Sequence, residues 1–203
     1  MSPSATLFAL ASGPDDMKAL GAALAGLLRP GDTVLLGGDL GAGKTTFVQG
    51  LAAALGVGEP VTSPTFVLVH SYKTAAGWEL LHADVWRLEQ LQEVIDLAIP
   101  ELVEDGGAAV VEWGEMAAPA LAPDCLHVAI DFADDEPLPA TDQAGQPGQP
   151  GQPGQPGQPG GGAGGARRLA FRALGPSWEQ RMAGLQAALA GACPPCACPG
   201  RAQ

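Results

Sequence analysis

A lysine and two threonines close a run of glycines in the first quarter of the chain: Gly38-Asp39-Leu40-Gly41-Ala42-Gly43-Lys44-Thr45-Thr46. The first eight follow the phosphate-loop pattern G-x-x-x-x-G-K-[ST]. Glycines let the backbone wrap closely around a phosphate chain. Several N–H groups then point inward, and the helix N-terminus that follows adds partial positive charge. Lys44 is expected to reach the β and γ phosphates, and the Thr45 hydroxyl to bind Mg²⁺. The context fits, because a buried strand runs into the glycines and a helical pattern starts at the lysine.

A phosphate loop needs a carboxylate for the magnesium, usually where a neighbouring buried strand leaves the core. Val110-Val111-Glu112-Trp113 supplies one after a run of apolar residues. Glu112 is expected to hold Mg²⁺, directly or through water, or to polarise an attacking water. Asp84 is the second acid, at the end of another strand, and His82 shares its face if that strand continues. Taken alone, His82 reads as a packed or surface histidine. The hydroxyl-rich Thr62-Ser63-Pro64-Thr65 follows the loop helix at a place where such proteins sense the γ-phosphate. Ser63 and Thr65 are therefore the candidate switch residues. The chain contains no Asn, which excludes the Asn-Lys-x-Asp element that selects guanine, so ATP is the expected nucleotide. The segment near Pro14 and the strand start at Arg167 and Arg168 are candidate adenine contacts.

The elements that must position these groups follow from periodicity. Helices are expected at Asp16–Leu28, capped by Asp15 or Asp16, at Lys44–Leu55, at Leu88–Leu97 and at Ser177–Leu189, capped by Ser177. A further helical turn is expected at Pro100–Glu104. Strands are expected at Thr33–Leu36, Phe66–Tyr72, Trp78–Ala83, Ala108–Trp113, Leu126–Phe132 and Arg167–Leu174. Five Gln-Pro-Gly triplets fill Gln146 to Gly160. They read as a solvated, polyproline-like loop at a hairpin tip. One domain over 1–190 is expected, interrupted by a disordered loop at about 134–166 and followed by a disordered Cys/Pro tail at 191–203.

The chain has 203 residues, 22 Asp+Glu against 10 Lys+Arg, and a formal charge of −12. That balance argues against a broad basic surface for nucleic acid. It leaves room for a partner that carries the nucleic acid. No apolar run reaches the ~20 residues that span a bilayer, and no basic leader opens the chain. A cytoplasmic protein without membrane contact is expected. Three of the four cysteines fall in the last eleven residues. Cys193, Cys196 and Cys198 could form a zinc half-site, with Cys125, a histidine or another chain completing it, though disorder is the preferred reading. The four tryptophans, Trp78, Trp86, Trp113 and Trp178, read as packing residues, with Trp113 placed to report on a nucleotide.

Taken together, four pieces resemble the TsaE (YjeE) family of bacterial ATPases in tRNA threonylcarbamoyladenosine biosynthesis. They are the phosphate loop through Thr46, Thr62-Ser63-Pro64-Thr65-Phe66, His82-Ala83-Asp84-Val85-Trp86-Arg87-Leu88, and Val111-Glu112-Trp113. Trp86 stands where the family usually has Tyr. The Gln-Pro-Gly segment and the cysteine tail lie outside the family pattern. The resemblance implies an α/β P-loop NTPase fold, with a mainly parallel central sheet, antiparallel flanking strands and helices on both faces. It implies weak Mg²⁺-dependent ATP hydrolysis that resets a complex of the TsaD and TsaB proteins, which transfers threonylcarbamoyl to tRNA. Thr45 and Glu112 would then hold Mg²⁺, Asp84 would serve hydrolysis or switch geometry, and tRNA would be met only through the partners.

Two other readings share the phosphate loop. A small-molecule kinase would close an arginine-bearing lid over the phosphates, and only Arg87 of seven arginines lies near a motif. A nucleotide-gated binding module would never turn over and would have no use for Glu112 and Asp84 as acids.

Overall fold

The computed structural model describes residues 6–64, 68–88, 90–114, 121, 123–133 and 165–192. The elements run β1 (Thr6–Ala11), α1 (Pro14–Ala25), β2 (Thr33–Gly37), α2 (Lys44–Ala54), β3 (Val69–Lys73) and β4 (Glu79–Asp84). They continue with α3 (Leu91–Ile95), α4 (Ile99–Glu104), β5 (Ala108–Glu112), β6 (Cys125–Phe132), β7 (Arg167–Leu174) and α5 (Pro176–Ala192).

All seven strands join one sheet in the order β1-β7-β6-β2-β5-β4-β3. The four middle strands, β6, β2, β5 and β4, are parallel. The outer pairs β3–β4, β6–β7 and β1–β7 are antiparallel. The expected α/β architecture, parallel in the centre and antiparallel at the flanks, is what the chain adopts. β2 shows why its sequence is a continuous apolar run. Val34 and Leu36 enter one core, with Phe47, Val48 and Leu51 of α2, Leu20 and Leu24 of α1, and Trp178 and Leu185 of α5. Leu35 enters the other, with Ala109 and Val111 of β5, Val94 of α3, and Ile99 and Val103 of α4. A strand covered on both faces needs apolar residues at every position.

The α1–α2 contact is unusually close. A Cβ on Gly50 would stand 2.0 Å from the Lys18 carbonyl oxygen, and one on Gly21 would stand 2.1 Å from that of Phe47. Only glycine allows two helices this near.

Several boundaries differ from those the sequence suggests. β1 is an edge strand that the apolar pattern around Leu7–Leu10 does not announce. Its pairing is entirely with β7, from Thr6 opposite Arg172 to Ala11 opposite Arg167, at the far end of the described chain. α1 starts at Pro14 with Gly13 as N-cap, and no side chain caps it. Pro supplies the favoured φ of a first helical residue, so Asp15 and Asp16 fall inside the first turn. There Asp16 accepts a hydrogen bond from the Ser12 N–H. Ser177 likewise lies inside α5, not at its cap, and its N–H and hydroxyl both donate to Asp124. α3 is only five residues long and starts at Leu91, not Leu88. β3 starts at Val69, and the predicted strand residues Phe66 and Val67 lie outside the described residues.

β6 and β7 pair antiparallel with Phe132 opposite Arg167, so the chain leaves and re-enters the sheet at one place around the Gln-Pro-Gly segment. That segment and the tail cysteines Cys193, Cys196 and Cys198 lie outside the described residues, so the expected loop and the zinc reading of the tail are not addressed by them. Among the described residues, no group of three His, Cys, Asp or Glu is gathered for a metal. Among them too, no helix is long and apolar enough to cross a membrane.

Candidate active site

The glycine loop joins the end of β2 to the start of α2, at the carboxyl edge of the parallel strands. Its shape depends on backbone conformations that side chains resist. Gly38, Gly41 and Gly43 all have positive φ, at 124°, 79° and 110°. A Cβ at Gly38 would come 2.1 Å from the Ile130 carbonyl oxygen, so the loop's first glycine lies against β6. Leu40, at the loop tip, is 79% exposed.

Lys44 is buried, as is usual for a cation that is held on several sides. Its Nζ donates to the carbonyls of Gly38 at 2.7 Å and Asp39 at 3.0 Å. The same ammonium lies 3.6 Å from the Trp113 ring centre, close enough for a cation–π contact. Trp113 itself has φ +63°, a conformation uncommon for a bulky residue. It follows β5 directly, and its N–H donates to the Leu36 carbonyl at 2.8 Å. Trp86 packs against it with ring centres 4.2 Å apart. Trp178 is buried in the core and the half-buried Trp78 packs against it, but Trp86 is 53% exposed and Trp113 lies in the site.

Register brings the two acids together. β4 and β5 run parallel with Asp84 beside Glu112, and Leu36 of β2 lies on the other side of Glu112. The Thr45 hydroxyl donates to Glu112 Oε1 at 2.8 Å. Asp84 Oδ1 accepts from the Trp86 N–H at 3.0 Å, and Oδ2 from the Ser63 hydroxyl at 3.3 Å. Both acids are almost fully buried. A hydroxyl and a carboxylate in contact are hard oxygen donors of the kind Mg²⁺ takes alongside water and phosphate, so the residues present fit that ion.

Of the two candidate switch residues, Ser63 meets Asp84, whereas Thr65 lies outside the described residues. The loop that carries Ser63 is braced by groups the sequence did not single out. Gln49 of α2 donates to the Val61 carbonyl at 3.0 Å, and the Thr62 N–H donates to the Tyr72 hydroxyl at 3.4 Å. His82 was read as a packed or surface residue. It is fully buried, and its Nε2 donates to Glu112 Oε1 at 2.9 Å. The i, i+2 spacing of His82 and Asp84 was the signal that could have found it.

A cavity of about 220 Å³ adjoins the loop. Gly13, Pro14 and Met17 at the start of α1, Gly41 to Gly43, Thr46 and Arg167 line it. Pro14 and Arg167 are thereby placed beside the phosphate loop. Arg168 does not line this cavity, and sits opposite Asp131 and Leu10 in the sheet. A larger groove of about 640 Å³ lies between α1, α2 and the Val57–Val61 segment. Its lining is mostly alanine and apolar, and none of the acids or hydroxyls named above belongs to it.

A strand–glycine loop–helix unit, a buried lysine at its end and an acid on the adjacent parallel strand are the parts of a P-loop protein, and that is the class this fold and site define. Within that class the chain is similar to one family. The family model described as "Threonylcarbamoyl adenosine biosynthesis protein TsaE" matches residues 11–138. A "tRNA threonylcarbamoyladenosine biosynthesis protein TsaE" from Streptomyces coelicolor is 46% identical over 119 residues, 58% of this chain and 80% of that protein. Its namesake in Bacillus subtilis is 38% identical over 123 residues, 61% of this chain and 76% of that one. The crystal structure of Bacillus subtilis YdiB superposes with a TM-score of 0.64 at 26% identity, covering 92% of this chain and 98% of that chain. The chain belongs to the TsaE family of threonylcarbamoyladenosine biosynthesis proteins.

Proposed function

We propose that this protein is the Mg²⁺-dependent ATPase of a bacterial tRNA threonylcarbamoyladenosine machinery, and that its hydrolysis supports turnover of a TsaB–TsaD transfer complex in the cytoplasm. The observation that carries the reading is the 2.8 Å contact between the Thr45 hydroxyl and the Glu112 carboxylate beside the glycine loop. The loop amides, the α2 N-terminus and Lys44 bind the phosphates. Residues Gly38, Asp39, Leu40, Gly41, Ala42, Gly43, Lys44, Thr45 and Thr46 form that cradle. The cavity between Pro14, Met17 and Arg167 takes the nucleoside.

Mg²⁺, held by Thr45 and Glu112, would offset negative charge on the phosphates. Asp84, tied to Ser63, couples the state of the Ser63 loop to the carboxylate pair, and Thr65 belongs to the same switch. Asp84 and Glu112 are also the groups that orient water for hydrolysis. Weak activity in isolation suits a subunit whose switch is completed by its partners. The net charge of −12 suits a chain that meets tRNA only through TsaD and TsaB.

Equilibrium binding of ATP with and without Mg²⁺, followed by phosphate release with and without TsaB and TsaD, tests the proposal. Binding that Mg²⁺ strengthens, and release that the partners accelerate, support it. Tight binding of GTP in preference to ATP contradicts it.

A further inference from the structure

We infer that His82 is the positioning residue of the Glu112 carboxylate, an assignment that rests on the Mg²⁺-nucleotide reading above. Two donors converge on one oxygen of Glu112. Thr45 Oγ1 reaches Oε1 from α2 at 2.8 Å, and His82 Nε2 reaches the same atom from β4 at 2.9 Å. The carboxylate is thereby pinned between two elements. Without the histidine, Thr45 alone would orient the carboxylate, and the same hydroxyl oxygen would also have to serve the ion when one is bound.

The burial of His82 argues that it does more than fill space. The residue is 0% exposed, and its Nδ1 has no hydrogen-bond partner among the described residues. Leaving one ring nitrogen unpaired in the core is a cost that an aliphatic residue of similar size would avoid. The same face of β4 carries Leu80, fully buried, and Asp84, nearly so, so the ring stands between the apolar core and the acid end of the strand. What the imidazole adds is a donor held in a fixed direction. Glu112 lies two residues beyond Val110, the residue opposite His82 in the β4–β5 register. The ring therefore reaches along the strand toward the loop and not straight across the ladder. Groups that orient a metal-binding carboxylate in this way commonly change metal affinity by about 10–100-fold when removed.

The test compares H82L, which fills the volume without a donor, with H82Q, whose amide nitrogen can take the place of Nε2. For each chain, the affinity for the non-hydrolysable analogue AMP-PNP is measured in EDTA and in Mg²⁺, and thermal unfolding is measured without ligand. In H82L the Mg²⁺-linked gain in affinity is expected to fall at least about tenfold, with the EDTA affinity unchanged. H82Q is expected to recover most of the gain. A full Mg²⁺ gain in H82L, or a loss in H82Q as large as in H82L, overturns the assignment. A purely structural histidine would lower the unfolding temperature without touching the Mg²⁺ gain.

If H82L does not fold, the wild-type chain labelled with ¹⁵N at histidine decides. Adding Mg²⁺ to the AMP-PNP complex must move the His82 Nε2–H resonance, and an unmoved resonance overturns the assignment. If the wild-type chain binds AMP-PNP equally well with and without Mg²⁺, the metal reading fails first and takes this inference with it.

Discussion

The Lys44 ammonium and the Trp113 ring face each other at 3.6 Å, while two donors of the same ammonium are held by the carbonyls of Gly38 and Asp39. A phosphate chain in the loop would compete for those donors. Binding is therefore expected to redistribute the charge next to the indole. Tryptophan fluorescence should change on ATP binding, and W113F should remove most of that change. K44A should weaken ATP binding by about tenfold or more, the scale of one charge-assisted hydrogen bond lost from a shielded site. A fluorescence change retained in W113F and lost in W78F would show that the indole reporting the nucleotide lies elsewhere.

The phosphate loop was legible in the sequence because its chemistry is local. Eight consecutive residues carry the glycines, the lysine and the hydroxyl, and flanking apolar runs supply the strand and helix. Glu112 and Asp84 were legible as acids ending apolar strands. That they stand side by side was not, because parallel strand order is set by crossovers and not by spacing. His82 is packed, one of the two places its residue type suggests, but its contact with Glu112 is not legible for the same reason, since that partner lies 30 residues away on another strand. β1 was missed because its pairing with β7 is long-range and its alternation is blurred by partial burial. Trp113 is legible as a neighbour of the site because it follows Glu112 directly, but the exposure of Trp86 is not, because residue type alone does not tell a site lining from a core.

The Cys125 thiol is pushed up to about 11, mainly by burial, with the charge of Asp124 a second cause. The folded protein keeps this proton where the unfolded chain has lost it. The stabilising contribution is therefore complete below about pH 9 and declines as the pH rises from 9 to 11. With the three tail cysteines changed to serine, urea unfolding across that range should show a steeper loss of stability than in the same chain carrying C125A. Equal slopes would contradict the assignment. The same thiol should react slowly with a disulfide reagent near neutral pH, because the thiolate is the nucleophile.

Arg181 holds α5 to the turn before β2. Its two terminal nitrogens donate to the two oxygens of Asp32 at 2.6 and 2.7 Å, and its guanidinium lies 3.8 Å from the Trp178 ring centre. R181M keeps much of the stem but leaves Asp32 without its cation. A loss of about 2–4 kcal/mol is expected in chemical unfolding, near the lower range for breaking a shielded pair. ATP affinity should not change, because Asp32 precedes the first residue of β2 and the phosphate loop follows its last. A variant that keeps full stability would show the pair to be idle.

Phosphate release from Mg·ATP by the purified chain, alone and with TsaB and TsaD, and with E112A beside it, tests the role of the Thr45–Glu112 pair most directly. The expected result is a slow basal rate that rises with the partners and vanishes in E112A, while the variant stays folded and still binds ATP in EDTA. An unchanged rate in E112A would contradict it. So would a wild-type chain that ignores both partners and passes phosphate to a small-molecule acceptor instead.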